Sequence, residues 1–566
     1  MIKIEYQTQR LSLRFFMLML VLFVFQAGFG MVLALQQIDP TLLAGNLNFN
    51  VIRAEHLNLG IIWILCGFIG TILFVGPLLS HRELAAPWLI KFLFYAVVAV
   101  TLWNVGTQYL AQTGVAGWWL GQPMLQEGLE YLEAGRIADI VILIGFCILC
   151  YVVLRTFPPR RDWNEIHWAL GIGVIALTLV WLFGFFFIER LDLQEYFRWY
   201  VVHYWVEGVW EVIHIALVGF LLVLMFDAKV KSVGYAVFWG VVLVWLSGLL
   251  GNAHHYFWVG TPEFWQFWGS LFSALEPLPL IFCFWHVYLD AHHDRRPLKN
   301  APAFYFILGS VVLEQVGAGI LGFTMTFALT NVWSHGTWVT PAHAHLALFG
   351  TFGMLGIGAA YYAVPLMRGL ADYDQRWGKL SFWLLFIGML GMAFAFALGG
   401  TVQVFVYRTL GLDWFGGDVF PAMNLFKILV PVFGVIFSIG TVTLVYDLLT
   451  LGHRYVAPVA ELRRAVRRDP PIAGWGRYLT GFEAGMWLLA MWLFGAVITF
   501  GLLSFNLPVV QAGNATLPYL LASIGYPGLL LVTLLFVWRF LASLEMRGYE
   551  PESTGTVLPP MAPVVG

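Results

Sequence analysis

Charge is scarce in this sequence. Asp, Glu, Lys and Arg make up 11% of its 566 residues, under half of the roughly 25% usual in a soluble domain. That scarcity excludes a soluble enzyme, a disordered chain and a nucleic-acid binder. The formal net charge of −2 offers no field to a polyanion. Cysteine is scarce too, and four in a chain this long cannot form a disulfide scaffold. Cys147 and Cys150 lie in an apolar run with nothing nearby to complete a metal site; like Cys66 and Cys283 they read as small apolar residues. What the chain has instead is apolar surface: 60% of it is hydrophobic and 17% aromatic, with a mean hydropathy of +0.80.

Runs of about 20 apolar residues cross a bilayer as helices, because a helix satisfies its own backbone. Fourteen are visible: 11–38, 56–80, 88–112, 137–156, 165–188, 197–226, 233–256, 265–289, 303–330, 341–366, 378–403, 420–448, 478–503 and 516–541. The pattern predicts an all-α polytopic membrane protein. The first run follows Lys3, Arg10 and Arg14, is too long for a signal-peptide core and lacks a small-residue cleavage site, so it reads as a retained helix. With the N-terminus inside, 24 of the 30 Lys and Arg fall on inner segments. Five (Arg53, Arg136, Arg190, Arg198 and Arg408) fall outside, and Lys427 lies within a span. The positive-inside rule therefore predicts that both termini are cytoplasmic. Residues 1–450 form a twelve-helix block, 451–477 a basic linker, 478–541 a further helix pair and 542–566 a Pro-rich flexible tail.

The chain has fourteen histidines, and six of them (His56, His203, His254, His255, His343 and His345) fall at span ends on the predicted outer side. One buried histidine is ordinarily a satisfied core residue. Six at one depth mark a functional site, since ionisable groups inside a membrane are costly. His81, His292, His293 and His453 read as surface residues at inner ends or loops. His167, His214, His286 and His335 do not fit either group. In PAHAHLALFG, His343 and His345 are two apart, so at about 100° per residue they point to opposite faces of a helix. One metal cannot bind both. Two metal centres flanking one helix can, which suits two hemes held edge to edge. In HYWVEGVWE, His203 and Glu207 share a helix face and Glu211 continues it. In GNAHHYFW, His254 and His255 adjoin. Three imidazoles and a carboxylate can converge on one ion, and the hard oxygen favours Fe(II) over Cu(I). His56, in RAEHLNLG, is the natural second axial ligand of one heme, and a b-type heme needs no covalent link.

The stretches RAEHLN, HYWVEGVWE, GNAHHYFWVG, SALEPLP and SHGTWVTPAHAHLALFGTFG follow one another across roughly residues 50–450. Together they resemble the heme–copper oxidase superfamily, and within it the large catalytic subunit of bacterial nitric oxide reductase. The resemblance implies a heme–copper oxidase-type twelve-helix bundle, here with two additional C-terminal helices. It implies His56 and His345 as axial ligands of a low-spin heme b, and His343 as the proximal ligand of a high-spin heme of b3 type. It implies a non-heme iron held by His203, His254, His255 and Glu207. Glu211 and Glu276 would supply protons or orient ligands, and Glu130 or Glu133 would hold an outer calcium ion. The implied reaction joins two NO molecules into N₂O, in the plasma (inner) membrane of a bacterium or archaeon.

Two positions separate this reading from oxygen reduction. One class of oxidases has a Tyr four residues after the first metal-binding His, where this chain has Glu207. Another has it six residues before the His pair, where this chain has Gly248. A terminal oxygen reductase is thus the weaker alternative, and an NO dismutase is disfavoured by the intact His203 and Glu207. A transporter would show broken helices around a midplane site, whereas these histidines gather near one face. No CxxCH and no hydrophilic N-terminal domain occur. The resemblance implies electrons from a smaller subunit of cytochrome c or cupredoxin type, or from quinol. Protons are expected from the outer face through Glu211 and Glu276, with Lys427 and Glu314 as the inner-side alternative.

Overall fold

The structure, a computed structural model, describes residues 4–111, 113–115, 117–119, 122–129, 131–226, 230–275, 278, 300–370, 373–411, 419–452 and 479–545. Among them, thirteen helices are long and apolar enough to cross a membrane. In chain order these are α1 (Gln7–Gln36), α2 (Phe49–Ser80), α3 (Pro87–Ala111), α4 (Arg136–Thr156), α5 (Glu165–Phe185), α6 (Leu191–Met225) and α7 (Val233–Tyr256). After a shorter α8 (Phe264–Leu275) come α9 (Ala301–Thr326), α10 (Val339–Met367), α11 (Arg376–Thr409), α12 (Ala422–Thr450), α13 (Gly481–Asn506) and α14 (Thr516–Ser543). Each of these matches one expected span. Most of the eighth span, 265–289, lies outside the described residues, as do Glu276, Glu130, His286, nearly all of the linker and the tail. The chain is a multi-pass membrane protein.

Burial sorts the helices. The most apolar stretches of α6, α9, α10 and α2 are 94%, 89%, 83% and 78% buried, against 22% for α1 and 28% for α3. The four central helices are thus mostly covered by their neighbours, and three of them, α2, α6 and α10, carry His56, His203, Glu207, His343 and His345. Close approach at the centre depends on small residues. Gly67 of α2 and Gly356 of α10 face each other, and a Cβ on either would lie 3.2 Å from the other's Cα.

Between α3 and α4 the chain forms two small hairpins, β1 (Trp118–Trp119) with β2 (Gln122–Pro123) and β3 (Gln126–Leu129) with β4 (Leu132–Ala134). Arg136 ties them to the bundle. Its Nη1 donates to Glu127 Oε2 at 2.7 Å, Asp139 Oδ2 at 2.8 Å and the Gly184 carbonyl at 2.8 Å. All three charged side chains are buried. Burial pushes the Glu127 carboxyl up to about 7, with Arg136 opposing the rise. Removing one partner of a buried ion pair costs about 3–5 kcal/mol, because the remaining charge is left uncompensated. Arg136→Ala should therefore destabilise the folded protein by about 3 kcal/mol, at the low end because Glu127 can go neutral. A lowered midpoint in a thermal melt of the purified protein checks this, and an unchanged midpoint contradicts it.

The terminal helices α13 and α14 are joined by a buried Arg539, whose Nε and Nη2 donate to Glu483 at 2.9 and 3.1 Å. They do not stand apart from the twelve-helix block. Thr499 of α13 meets Thr324 of α9, hydroxyl to hydroxyl, at 2.9 Å, and α14 packs along α11.

Candidate metal centre

Three of the central helices widen into π-helical turns at or next to the polar residues: Tyr200–Trp210 in α6, Gln315–Leu321 in α9 and Leu346–Gly353, just after His345, in α10. Such turns alter where side chains aim and recur at functional sites. The turn in α6 carries His203 and Glu207, and His203 Nδ1 lies 3.2 Å from Glu207 Oε2. From α7, His255 Nε2 reaches His203 Nδ1 at 3.1 Å and His254 Nε2 at 3.0 Å. The ligand atoms of His203, His254 and His255 all lie within 4.8 Å of one another, the one such group of three among the described residues. Three imidazole nitrogens and a carboxylate oxygen thus converge from two helices, as a divalent ion requires.

Neighbours fix these rings. Ser273 of α8 turns its hydroxyl toward the Gly251 carbonyl at 3.5 Å and accepts from His254 Nδ1 at 2.6 Å. That sets the tautomer, leaving the Nε2 lone pair inward. His255 stacks on Trp199 with centroids 3.6 Å apart and planes within 9°.

On α10 the two histidines face different partners, as their spacing requires. His343 Nδ1 donates to the Gly317 carbonyl of α9 at 2.8 Å. His345 Nδ1 donates to the Pro341 carbonyl at 2.7 Å, and its ring faces His56 of α2 at a centroid distance of 6.1 Å. His56 Nδ1 donates to the Gln26 carbonyl of α1 at 2.9 Å. All three histidines therefore keep a lone pair on Nε2, the state in which imidazole binds a metal; in His56 that lone pair faces the Gln26 amide nitrogen at 3.2 Å. The 6.1 Å spacing is itself informative. It leaves room for one metal between the two rings, about 2 Å from a nitrogen of each.

His56, His203, Glu207, Glu211, His254, His255, His343 and His345 all line one cavity of about 1040 Å³. That is at or above the top of the usual range of about 300–1,000 Å³ for a small-molecule pocket. Glu211 is buried in its wall. Lys427, expected toward the inner side, lines this cavity as well, because α12 begins at the end of the bundle that holds His56 and His345. Glu314 does not line it; it faces His214 instead, with 3.4 Å between Oε2 and Nδ1. His335 stacks on Trp258 at the cavity's edge with centroids 5.0 Å apart, and His167 closes the N-terminal cap of α5 with Asn164. Sequence reasoning missed Ser273, Trp199, Gln26 and the Gly317 carbonyl. Each acts through an orienting contact that leaves no spacing signal.

Residues 10–436 match the family of cytochrome c and quinol oxidase polypeptide I. The chain belongs to the heme–copper oxidase family. Within that family it is 32% identical over 455 residues to a nitric oxide reductase subunit of Stutzerimonas stutzeri, covering 78% of this chain and 95% of that one. A cbb3-type cytochrome c oxidase subunit of the same organism is 22% identical over 301 residues, 50% of this chain and 62% of its own. Cytochrome c oxidase subunit 1 of Thermus thermophilus is 22% identical over 376 residues, covering 61% of this chain and 62% of its own. The cryo-EM structure of a heme–copper terminal oxidase dimer shares the fold, with a TM-score of 0.62 at 15% identity over 91% of this chain and 94% of that one. Membership implies hemes and a metal centre, and the cavity fits them. It presents three preset imidazole lone pairs on opposite sides of α10 and a three-histidine cluster with an adjacent carboxylate.

Proposed function

We propose that this chain is the catalytic subunit of a nitric oxide reductase, carrying out 2 NO + 2 e⁻ + 2 H⁺ → N₂O + H₂O. The observation that carries the reading is Glu207 Oε2 at 3.2 Å from the cluster histidine His203. It stands where an oxygen reductase of one class has its tyrosine, and NO reduction cleaves no O–O bond. The 32% identity to a nitric oxide reductase subunit supports the same conclusion.

In this reading His56 and His345 hold a low-spin heme b, His343 holds a high-spin heme of b3 type, and His203, His254, His255 and Glu207 hold a non-heme iron. The metals supply electrons and offset developing negative charge when bound. The chain's own residues do the rest. The cluster on α6 and α7 faces His343 on α10 across one cavity, so two small molecules held between them meet as an intramolecular pair. Glu207 keeps the donor set hard and brings a negative charge to it. Glu211, buried in the wall, is placed to hold a proton, and Glu276 is the second acid we assign to that task. Electrons would come from a smaller cytochrome c or cupredoxin-type subunit or from quinol. We assign calcium to Glu133, whose Oε1 is buried without a hydrogen-bond partner while Oε2 accepts from Asn58 at 3.2 Å. The termini would be cytoplasmic and the metals near the outer face of a bacterial or archaeal inner membrane.

The test is heme and metal quantification on the purified complex together with gas analysis under NO. The expected result is iron beyond that of two hemes, no copper, and N₂O as product. Copper in stoichiometry with heme would return the chain to the oxidases, and N₂ with O₂ would make it a dismutase.

One glycine couples the helices that hold this site. A Cβ on Gly317 would lie 2.3 Å from Leu346 Cβ and 2.9 Å from the Leu346 backbone, while the Gly317 carbonyl holds His343. Gly317→Ala must push α9 and α10 apart. We expect the high-spin heme spectrum to shift while the low-spin spectrum stays. The opposite pattern would separate Gly317 from His343.

A further inference from the structure

His214 and Glu314 take no part in the arrangement above. They lie in mid-span on α6 and α9, both buried, with Glu314 Oε2 3.4 Å from His214 Nδ1. On the far side of the ring, His214 Nε2 is 2.7 Å from Ser310 Oγ. Ser310 has one hydroxyl proton and donates it to the Thr351 carbonyl at 2.6 Å. Its oxygen is therefore left to accept from the imidazole, which places a proton on Nε2. Nδ1 then faces a carboxyl. Without a proton between them, a nitrogen lone pair would meet a buried carboxylate with nothing to offset it. One proton therefore belongs to the pair, on Nδ1 or on the carboxyl, and the pair as a whole is neutral; neither Nδ1 nor Oε2 has another hydrogen-bond partner among the described residues. It has room for one more: a protonated Nδ1 donating to the oxygen of a protonated carboxyl.

The pair stands directly behind the cavity wall. Thr351, whose carbonyl takes the Ser310 hydroxyl, lines the cavity. So does Phe352, whose ring meets His214 edge-on with centroids 5.7 Å apart. Glu211, three residues before His214, lines it too. His203, Glu207, Glu211 and His214 are spaced four, four and three residues apart. A row of ionisable groups thus runs along one side of α6 from the three-histidine cluster to the pair.

We infer that His214 and Glu314 form a redox-linked proton site that takes up one proton from water when an electron arrives in the cavity. The inference rests on the proposed redox function, whose donor supplies the electron. His214 Nδ1 gains the proton, and no covalent bond of the pair otherwise changes. The positive charge this creates is costly in a dry interior and is offset by the electron's negative charge one side-chain layer away. When the reduced oxygen leaves as water, the proton goes to it and the pair returns to its neutral state. The pair thus stores one of the two protons that the reaction consumes; the other proton, and both electrons, come from outside the pair, the electrons from the donor.

The test is the reduced-minus-oxidised infrared spectrum of the cofactor-loaded protein in H₂O and D₂O, with proton uptake on reduction followed by an indicator dye. We expect a carboxyl C=O band that changes on reduction, shifts in D₂O and is absent from Glu314→Gln, in which proton uptake falls by about half. An identical band and uptake in Glu314→Gln would overturn the inference. So would a wild-type spectrum with no D₂O-sensitive carboxyl band, a result that needs no variant to fold. The two readings fail separately. Wild-type protein that shows the band but makes no N₂O from NO overturns the proposed function and leaves the pair standing. Glu314→Gln protein that makes N₂O with the band unchanged overturns the pair alone.

Discussion

Replacing Glu207 by Ala should reduce NO turnover by at least about 100-fold while leaving both heme spectra intact. Residues that only orient a metal's ligands cost about 10–100-fold when removed, and Glu207 is placed to touch the metal itself, with its Oε2 3.2 Å from His203 Nδ1. Three imidazoles would remain, so the iron should be weakened rather than lost at once. In the proposed reading the hemes would be held from α2 and α10, and Glu207 lies on α6, so their spectra report whether the fold survived. Glu207→Gln keeps an oxygen but loses the charge, and it should fall between wild type and Ala. Steady-state NO consumption beside iron content per heme checks the ordering. Full activity in Glu207→Ala would remove the carboxylate from the mechanism. Loss of the heme spectra in that variant would assign Glu207 a role in folding instead.

Much of this site is legible in the sequence because its residues are of the wrong kind for their surroundings. Six histidines at one depth of an apolar chain stand out against lipid-facing Leu and Phe, and helical spacing alone puts His343 and His345 on opposite faces. The structure places them so, with one against Gly317 and the other against His56. Thirteen of the expected spans are membrane-length helices for a related reason, since a backbone in hydrocarbon has few ways to satisfy itself. What stays hidden is geometry without a sequence signal. A π-helical turn has no residue signature of its own, and VVHYWVEGVW gives no hint that α6 widens there. Carbonyl partners such as Gly317 and Pro341 carry no side chain that could be read. For Lys427 the span, not the position within that span, sets the inner-side expectation. The residue lies only five positions from the start of α12, at the cavity end.

The division of labour along α10 gives the second large effect. If His345 and His56 share one heme and His343 holds another, the two α10 histidines should fail in different ways. His345→Ala removes one of two axial imidazoles from a centre that has no other described imidazole within its 6.1 Å ring spacing. We expect the low-spin heme spectrum to be lost or converted to high-spin. Electron delivery should collapse, and turnover should fall by at least about 100-fold, the upper end of what removing a residue that only orients a ligand costs. The remaining high-spin heme should still bind CO or NO when reduced chemically. His343→Ala should do the reverse: the low-spin spectrum stays and can be reduced, while CO binding to the high-spin heme disappears. The same helix and nearly the same position are altered in both, so a general folding defect cannot produce the contrast. Optical and electron paramagnetic resonance spectra of the two purified variants decide the matter. Matching losses in both would mean that α10 holds a single centre, which the opposite facing of its two rings makes physically unreasonable.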